Sequence, residues 1–163
     1  MHRLLYRSRS SLAGWDMTVE AEVEKILESS AANNLRDGVT GALMFTASIF
    51  IQALEGPRET LEHTFERICN DLRHSEIQVI EFAPICERAF GEWSLHRVHA
   101  GETIEALLAQ VAKSPAPAYS AQAAAQAASL MSTLIRLEEG SVPPWRCSGD
   151  ASLDGRADDR RVV

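Results

Sequence analysis

The chain has 163 residues, of which 45% are hydrophobic and 24% charged, and 16 basic against 23 acidic side chains give it a net charge of −7. That is one domain's worth of chain with enough apolar residues for a single core, which excludes collagen-like, coiled-coil and wholly disordered classes. The acidic balance and scattered basic residues exclude a surface that tracks phosphates, so direct nucleic-acid binding is not expected.

Three cysteines, Cys69, Cys86 and Cys147, lie far apart with no CxxC pair and no His-rich segment, so neither a disulfide framework nor a zinc site is expected. The N-terminus, MHRLLYRSRS, lacks the apolar run of a signal peptide or a membrane span. The expectation is a cytoplasmic protein with no membrane partner.

Residues 3–8 alternate, with Leu4, Tyr6 and Ser8 on one side and Arg3, Leu5 and Arg7 on the other, which predicts a first strand. Val19, Val23, Ile26, Leu27, Ala31 and Leu35 follow at helical spacing, with Asp16 or Thr18 as the cap and Asp37-Gly38 as the stop. Two apolar runs, 39–45 and 49–54, predict an antiparallel hairpin whose turn lacks glycine. Leu61, Phe65, Ile68 and Leu72 mark one face of a second helix, and further strands are expected at 76–82 and within 83–90. The order is β-α-β-β-α-β-β. It predicts an α+β, ferredoxin-like fold with one sheet and both helices on the same face.

Beyond Trp93, residues 103–113 and 121–137 carry apolar residues at helical spacing. Two such short helices must pack on the sheet's free face or on a partner. Residues 140–163 are rich in Gly, Pro, Ser, Asp and Arg and are expected to be disordered. The domain reading is therefore 1–98 as the folded unit, 99–139 as a helical extension and 140–163 as a tail.

Several polar residues interrupt this apolar plan. Gln52 shares a strand face with Phe50 and Leu54, and an unpaired buried amide costs roughly 2–7 kcal/mol, so either it reaches water at an edge or something bonds to it. Asn34 falls on the same helix face as Ile26, where asparagine is a poor helix former, unless the helix frays before Gly38. Tyr6 and Ser8 add hydroxyls to the sheet face under the helices. Singly each is an ordinary core or strand residue. Together they describe an apolar slot with a few convergent donors and acceptors, suited to a flat heteroaromatic ligand. No carboxylate pair, Ser-His-Asp set or Gly-rich phosphate loop accompanies them, so an enzyme is not expected.

These residues resemble the BLUF domain, the blue-light sensor using FAD, from about Leu4 to Leu95. The carriers are the start around Tyr6 and Ser8, the block Asn33-Asn34-Leu35-Arg36-Asp37-Gly38-Val39-Thr40-Gly41, and the strand Phe50-Ile51-Gln52-Ala53-Leu54-Glu55-Gly56. Two further pieces are Asp71-Leu72-Arg73-His74, read as a helix end, and Arg88-Ala89-Phe90-Gly91-Glu92-Trp93-Ser94. The family's spacings, 18 residues from the Asn to the Gln and 41 from there to the Trp, are kept.

The resemblance implies a flavin held noncovalently between the two helices, FAD with FMN or riboflavin as substitutes. It implies photoactive roles for Tyr6, Gln52 and Trp93, with Tyr6 as electron and proton donor and Gln52 as the hydrogen-bond switch. Tyr6, Ser8, Ile26, Asn33, Asn34, Gln52, Arg73 and His74 would hold the cofactor. Two departures stand out. The segment from Tyr6 to Asn34, around Trp15, is longer than is usual, and Leu95 stands where the family has methionine, which puts the usual Trp/Met exchange in doubt.

The implied protein is a short stand-alone photoreceptor that forms at least a dimer and signals in trans to an unidentified downstream protein. Residues 103–113 and 121–137 would be its output surface. The alternative is a light-insensitive ferredoxin-like module that binds flavin or another small molecule.

Overall fold

The computed structural model describes residues 1–12, 18–46, 48–91, 93–99 and 121–138. Strands β1 (His2–Ser10), β2 (Thr40–Thr46), β3 (Ile49–Gly56), β4 (His74–Pro84) and β5 (His96–Val98) form one sheet in the order β4-β1-β3-β2-β5. Every pairing is antiparallel except β2 with β5, which is parallel. Helices α1 (Val19–Asp37) and α2 (Arg58–Cys69) connect β1 to β2 and β3 to β4, and α3 spans Ala121–Glu138. This is the expected ferredoxin-like arrangement. Asp16, Trp15, residues 103–113 and the tail 140–163 lie outside the described residues.

Local chemistry sets the boundaries. Thr18 caps α1 by accepting the Ala21 N–H at 3.3 Å. Gly38 ends the helix in the left-handed conformation at φ 66°, where a side chain would be strained. In the glycine-free hairpin turn Ser48 adopts φ 63°, so a non-glycine residue bears that conformation. Gly41 is required for a different reason: a Cβ there would stand 2.3 Å from the Ala53 carbonyl oxygen of the neighbouring strand.

The alternation of each strand sorts the core to two faces. On one, Leu4, Tyr6, Leu43, Phe50 and Leu54 pack beneath Val23, Ile26 and Leu27 of α1 and Leu61 of α2. On the other, Leu5, Ala42, Met44, Ile51 and Ala53 pack with Phe90, Val98 and the Ala128, Met131 and Ile135 side chains of α3. Both helices of the double crossover thus cover one face, and α3 covers the other. No described helix is long and apolar enough to cross a membrane.

Three expectations are corrected. The fifth strand is not within 83–90: β4 runs on to Pro84, bends and a turn follow through Gly91, and β5 forms at His96–Val98. The helix α2 ends at Cys69, so Asp71 to Arg73 belong to a turn and His74 opens β4, while Leu72 is 85% exposed and not part of the apolar face. Leu35 is likewise 75% exposed, because Asn34 takes the inward position at that end of α1 at 1% exposure.

Candidate functional site

Tyr6 of β1 and Gln52 of β3 are direct partners in the antiparallel register, on the face that α1 and α2 cover. The phenol donates to Gln52 Oε1, joining two side chains that are 0% and 5% exposed. The amide oxygen is thereby taken, and the NH2 is the end that Gln52 has to offer a ligand. Burial, reinforced by the Asp71 carboxylate, pushes the Tyr6 phenol well above its ordinary pKa, so it holds its proton at neutral pH.

Ser8, two residues along β1 and on the same face, bonds His74 Nδ1 through Oγ at 2.7 Å. The His74 ring packs on Phe50 with centroids 4.6 Å apart and meets the Tyr6 ring edge-on at 6.4 Å. Burial lowers the imidazole pKa. Asp71 pulls the other way and Arg73 adds to the lowering, and the outcome is a neutral ring.

Above this pair a cleft of about 110 Å³ opens between the two helices. From α1 it is lined by Ser29, Ser30, Asn33 and Asn34, from the sheet by Gln52, and from α2 by Thr64, Arg67 and Ile68. Asp71 and Arg73 close its end. Asn34 donates Nδ2 to the Ser94 carbonyl at 2.8 Å, which fixes its amide and leaves Oδ1 to accept. Arg67 Nη2 donates to Asp37 Oδ2 at 2.9 Å and to Thr64 Oγ1 at 3.1 Å. Arg73 Nε donates to Asp71 Oδ1 at 2.9 Å; burial raises the Asp71 pKa, but the bonds from Arg73 outweigh it and hold the carboxylate low.

Both guanidiniums are matched by carboxylates, so the cleft presents donors and acceptors of both kinds with little net charge. That suits a neutral heteroaromatic ring with imide and carbonyl edges, and the residues present fit a flavin. Arg67 and Arg73, whose side chains are 46% and 24% exposed, stand at the open side of the cleft.

Of the residues singled out from sequence, Tyr6 and Gln52 are bonded, Ser8 and His74 are bonded beside them, and Asn33, Asn34 and Arg73 line the cleft. Ile26 is 4% exposed and packs with Val23, Leu43 and Phe50 at the adjoining end of α1. Trp93 is not brought to this group. It packs against the cluster on the α3 face, in edge contact with His96 at 5.9 Å. Leu95 packs on the helix face, against both clusters there.

Sequence reasoning did not assign Ser29, Ser30, Thr64, Arg67, Ile68 or Asp71 to the site, although it read Ile68 as an apolar helix position and Asp71 as part of a family motif. A signal existed for most of them. Ser29 and Ser30 precede Asn33 and Asn34 by one helical turn, and Thr64, Arg67 and Ile68 recur at i, i+3 and i+4, so each group shares a face.

A family model described as "BLUF: Sensors of blue-light using FAD" matches residues 1–96. The photoactivated adenylate cyclase subunit beta of Euglena longa is 32% identical over 75 residues, which is 45% of this chain and 9% of that protein. The blue light- and temperature-regulated antirepressor BluF of Escherichia coli K12 is 34% identical over 91 residues, 55% of this chain and 21% of that protein. This chain therefore spans a small part of the length of these relatives. Among solved structures, the dark state of BlrB, a BLUF protein, superposes with a TM-score of 0.67 at 30% identity, covering 81% of this chain and 95% of that one. The photo-activated state of BlsA gives 0.69 at 26% identity, over 80% and 94%. The family match covers strands β1 to β4 and the helices α1 and α2: the chain belongs to the BLUF family of sensors of blue light using FAD.

Proposed function

We propose that this chain is a blue-light photoreceptor that binds FAD noncovalently between α1 and α2 and passes its state to a partner protein. The observation that carries this reading is the buried Tyr6–Gln52 hydrogen bond at the floor of the cleft. Asn34, with Nδ2 held by Ser94, offers Oδ1 to an imide N–H, while Asn33 and Arg67 offer donors to ring carbonyls. Arg73 stands at the end of the cleft, His74 lies beside Tyr6 against Phe50, and Ile26 would pack beside the ring.

Bound flavin supplies a blue-light-excited state able to take an electron from a nearby phenol and return it. The rest is the work of two side chains. Tyr6 keeps its proton in the dark because burial disfavours the phenolate. Loss of an electron makes that proton strongly acidic, and it moves along the existing bond toward Gln52 Oε1. The amide then rotates, or keeps that proton on oxygen and gives up one of its own N–H protons on the opposite side, the equivalent of the proton later returned to Tyr6, to remain as the imidic tautomer; either change reverses what it presents on each side. When Tyr6 regains its electron and proton, Gln52 remains in the new arrangement. The result is a two-state element whose bias is a few hydrogen bonds.

Pairing of two copies and transfer of the signal in trans belong to the same reading. The C-terminal helical region is the surface for both, and Leu137 of α3 is 69% exposed on it. The test is absorption of the purified, flavin-loaded protein before and after blue illumination. A reversible red shift supports the photoreceptor, and a yellow protein with an unchanging spectrum supports a light-insensitive flavin module instead.

A further inference from the structure

Glu55 lies three residues beyond Gln52 on β3 and on the opposite face of the sheet. Its side chain is 0% exposed, which is rare for a carboxylate without strong pairing. Oε2 accepts the Phe90 N–H at 3.1 Å, whereas Oε1 has no hydrogen bond and stands 3.8 Å from Arg3 Nη1. Arg88 braces the same junction, donating Nη1 to Thr40 Oγ1 at 2.8 Å and to the Glu55 carbonyl at 3.1 Å, and Nη2 to the Gly38 carbonyl at 2.8 Å. Phe90 is itself 0% exposed and packs in one cluster with Ile51 and Ala53 of β3 and with Met131 and Ile135 of α3.

We infer that Glu55 is a positioning residue: through its bond to Phe90 it carries a shift of β3 across the sheet to α3. This rests on the photoreceptor reading, in which Gln52 changes state on that strand. A buried carboxylate is costly unless it is paired and hydrogen-bonded, Glu55 has only one bonded oxygen, and removing that acceptor would leave the Phe90 N–H unpaired in the core. Moving β3 by a fraction of a residue displaces the acceptor, and Phe90 follows because nothing else among its described contacts replaces that bond. Phe90 is fully buried in the same cluster as Met131 and Ile135, and packed cores pass such shifts on instead of absorbing them. A separate connection runs from α1 to β5 and the residues just before it, through Asn34 to the Ser94 carbonyl and through Arg97 Nη1 to Glu20 Oε1 at 2.6 Å. It does not pass through β3.

The test is hydrogen exchange of the α3 amides in dark and light, read together with the difference spectrum, in the full flavin-loaded chain. Native protein should show a red shift and a light-dependent change in α3 protection. Glu55→Ala should keep the red shift and reduce the α3 change about fivefold, the equivalent of one hydrogen bond. Glu55→Gln retains an oxygen for the Phe90 N–H and should restore most of it, which a loss of packing alone would not. Phe90→Leu keeps an apolar core residue and should also blunt the α3 response, so the inference stays testable if Glu55→Ala does not fold. Arg97→Gln should leave the α3 change intact. A full α3 response in Glu55→Ala or Phe90→Leu, or no α3 response in a native chain that does shift its spectrum, would overturn the inference. A native chain with no spectral shift would instead overturn the reading beneath it.

Discussion

Tyr6 and Gln52 face each other across β1 and β3, and the antiparallel register places the donor and acceptor ends of their side chains in contact. Neither side chain is free to search. Tyr6 is held between the sheet and Phe65, whose ring centroid lies 5.6 Å away, and Gln52 is flanked by Phe50 and Leu54 on its own strand. A one-residue slip of either strand would send one of the pair to the opposite face, so the same alternation that builds the core also fixes the switch.

Tyr6→Phe removes the donor and keeps the ring. The variant should bind flavin as the native chain does and unfold within about 1 kcal/mol of it, since one neutral hydrogen bond is lost and the amide left behind borders the cleft. Its light-minus-dark spectrum should lack the red shift, and a normal photocycle would remove Tyr6 from the mechanism.

Gln52→Ala is the asymmetric counterpart. It strands the Tyr6 hydroxyl in a fully buried position, so destabilisation of about 1–3 kcal/mol is expected, more than for Tyr6→Phe. The difference is measurable as a shift in denaturant midpoint at constant slope. The loaded variant should be yellow and give the same spectrum in dark and light. Equal destabilisation in the two variants would mean that the hydroxyl finds another partner.

Gly41→Ala probes the frame that sets this register. A methyl group 2.3 Å from the Ala53 carbonyl forces β2 away from β3, which should cost about 1–3 kcal/mol as overpacking does and lower flavin occupancy with it. Gly38→Ala meets nothing within 4 Å and strains only the left-handed cap at φ 66°, so its cost should be smaller. The ranking can be read from thermal midpoints.

The buried His74 gives the stability a pH dependence. Its imidazole pKa is lowered in the folded chain from the ordinary 6.5, so below that pH the unfolded chain binds more protons. Stability therefore falls as pH drops through 6.5 toward the folded value. Glu55, raised by burial from 4.5, works in the opposite sense, costing stability as pH rises above that value. Comparison with His74→Gln isolates the imidazole: the stability advantage of the native chain should shrink between about pH 7.5 and 5.5. A constant difference across that range would show that His74 titrates alike in folded and unfolded chains.

Much of this architecture is legible in the residues themselves, because strand alternation at Leu4, Tyr6 and Ser8 and the Gly38 stop are local signals. Asn34 was legible as an inward polar residue, while Leu35 was misleading: a leucine at helical spacing is exposed because the last turn of α1 is aimed by the cleft and not by the core. The fifth strand was misplaced because Ile85, Ala89 and Phe90 have the composition of a strand, yet Phe90 is held as a plug by Glu55. Arg67 escaped notice because a charged residue near a helix end reads as a solvated face, and its pairing with Asp37 of α1 is a tertiary contact that no local pattern encodes. The position of Trp93 on the α3 face and Leu95 on the helix face is likewise a choice between two faces made by packing.

The measurement that bears most directly on the central claim is the blue-light difference spectrum of the purified FAD-loaded chain, followed through recovery in the dark. The Tyr6–Gln52 account predicts a red shift of the flavin band that appears on illumination, decays in darkness, and is absent from Tyr6→Phe. An unchanging spectrum in the native chain, or an undiminished shift in Tyr6→Phe, would contradict it.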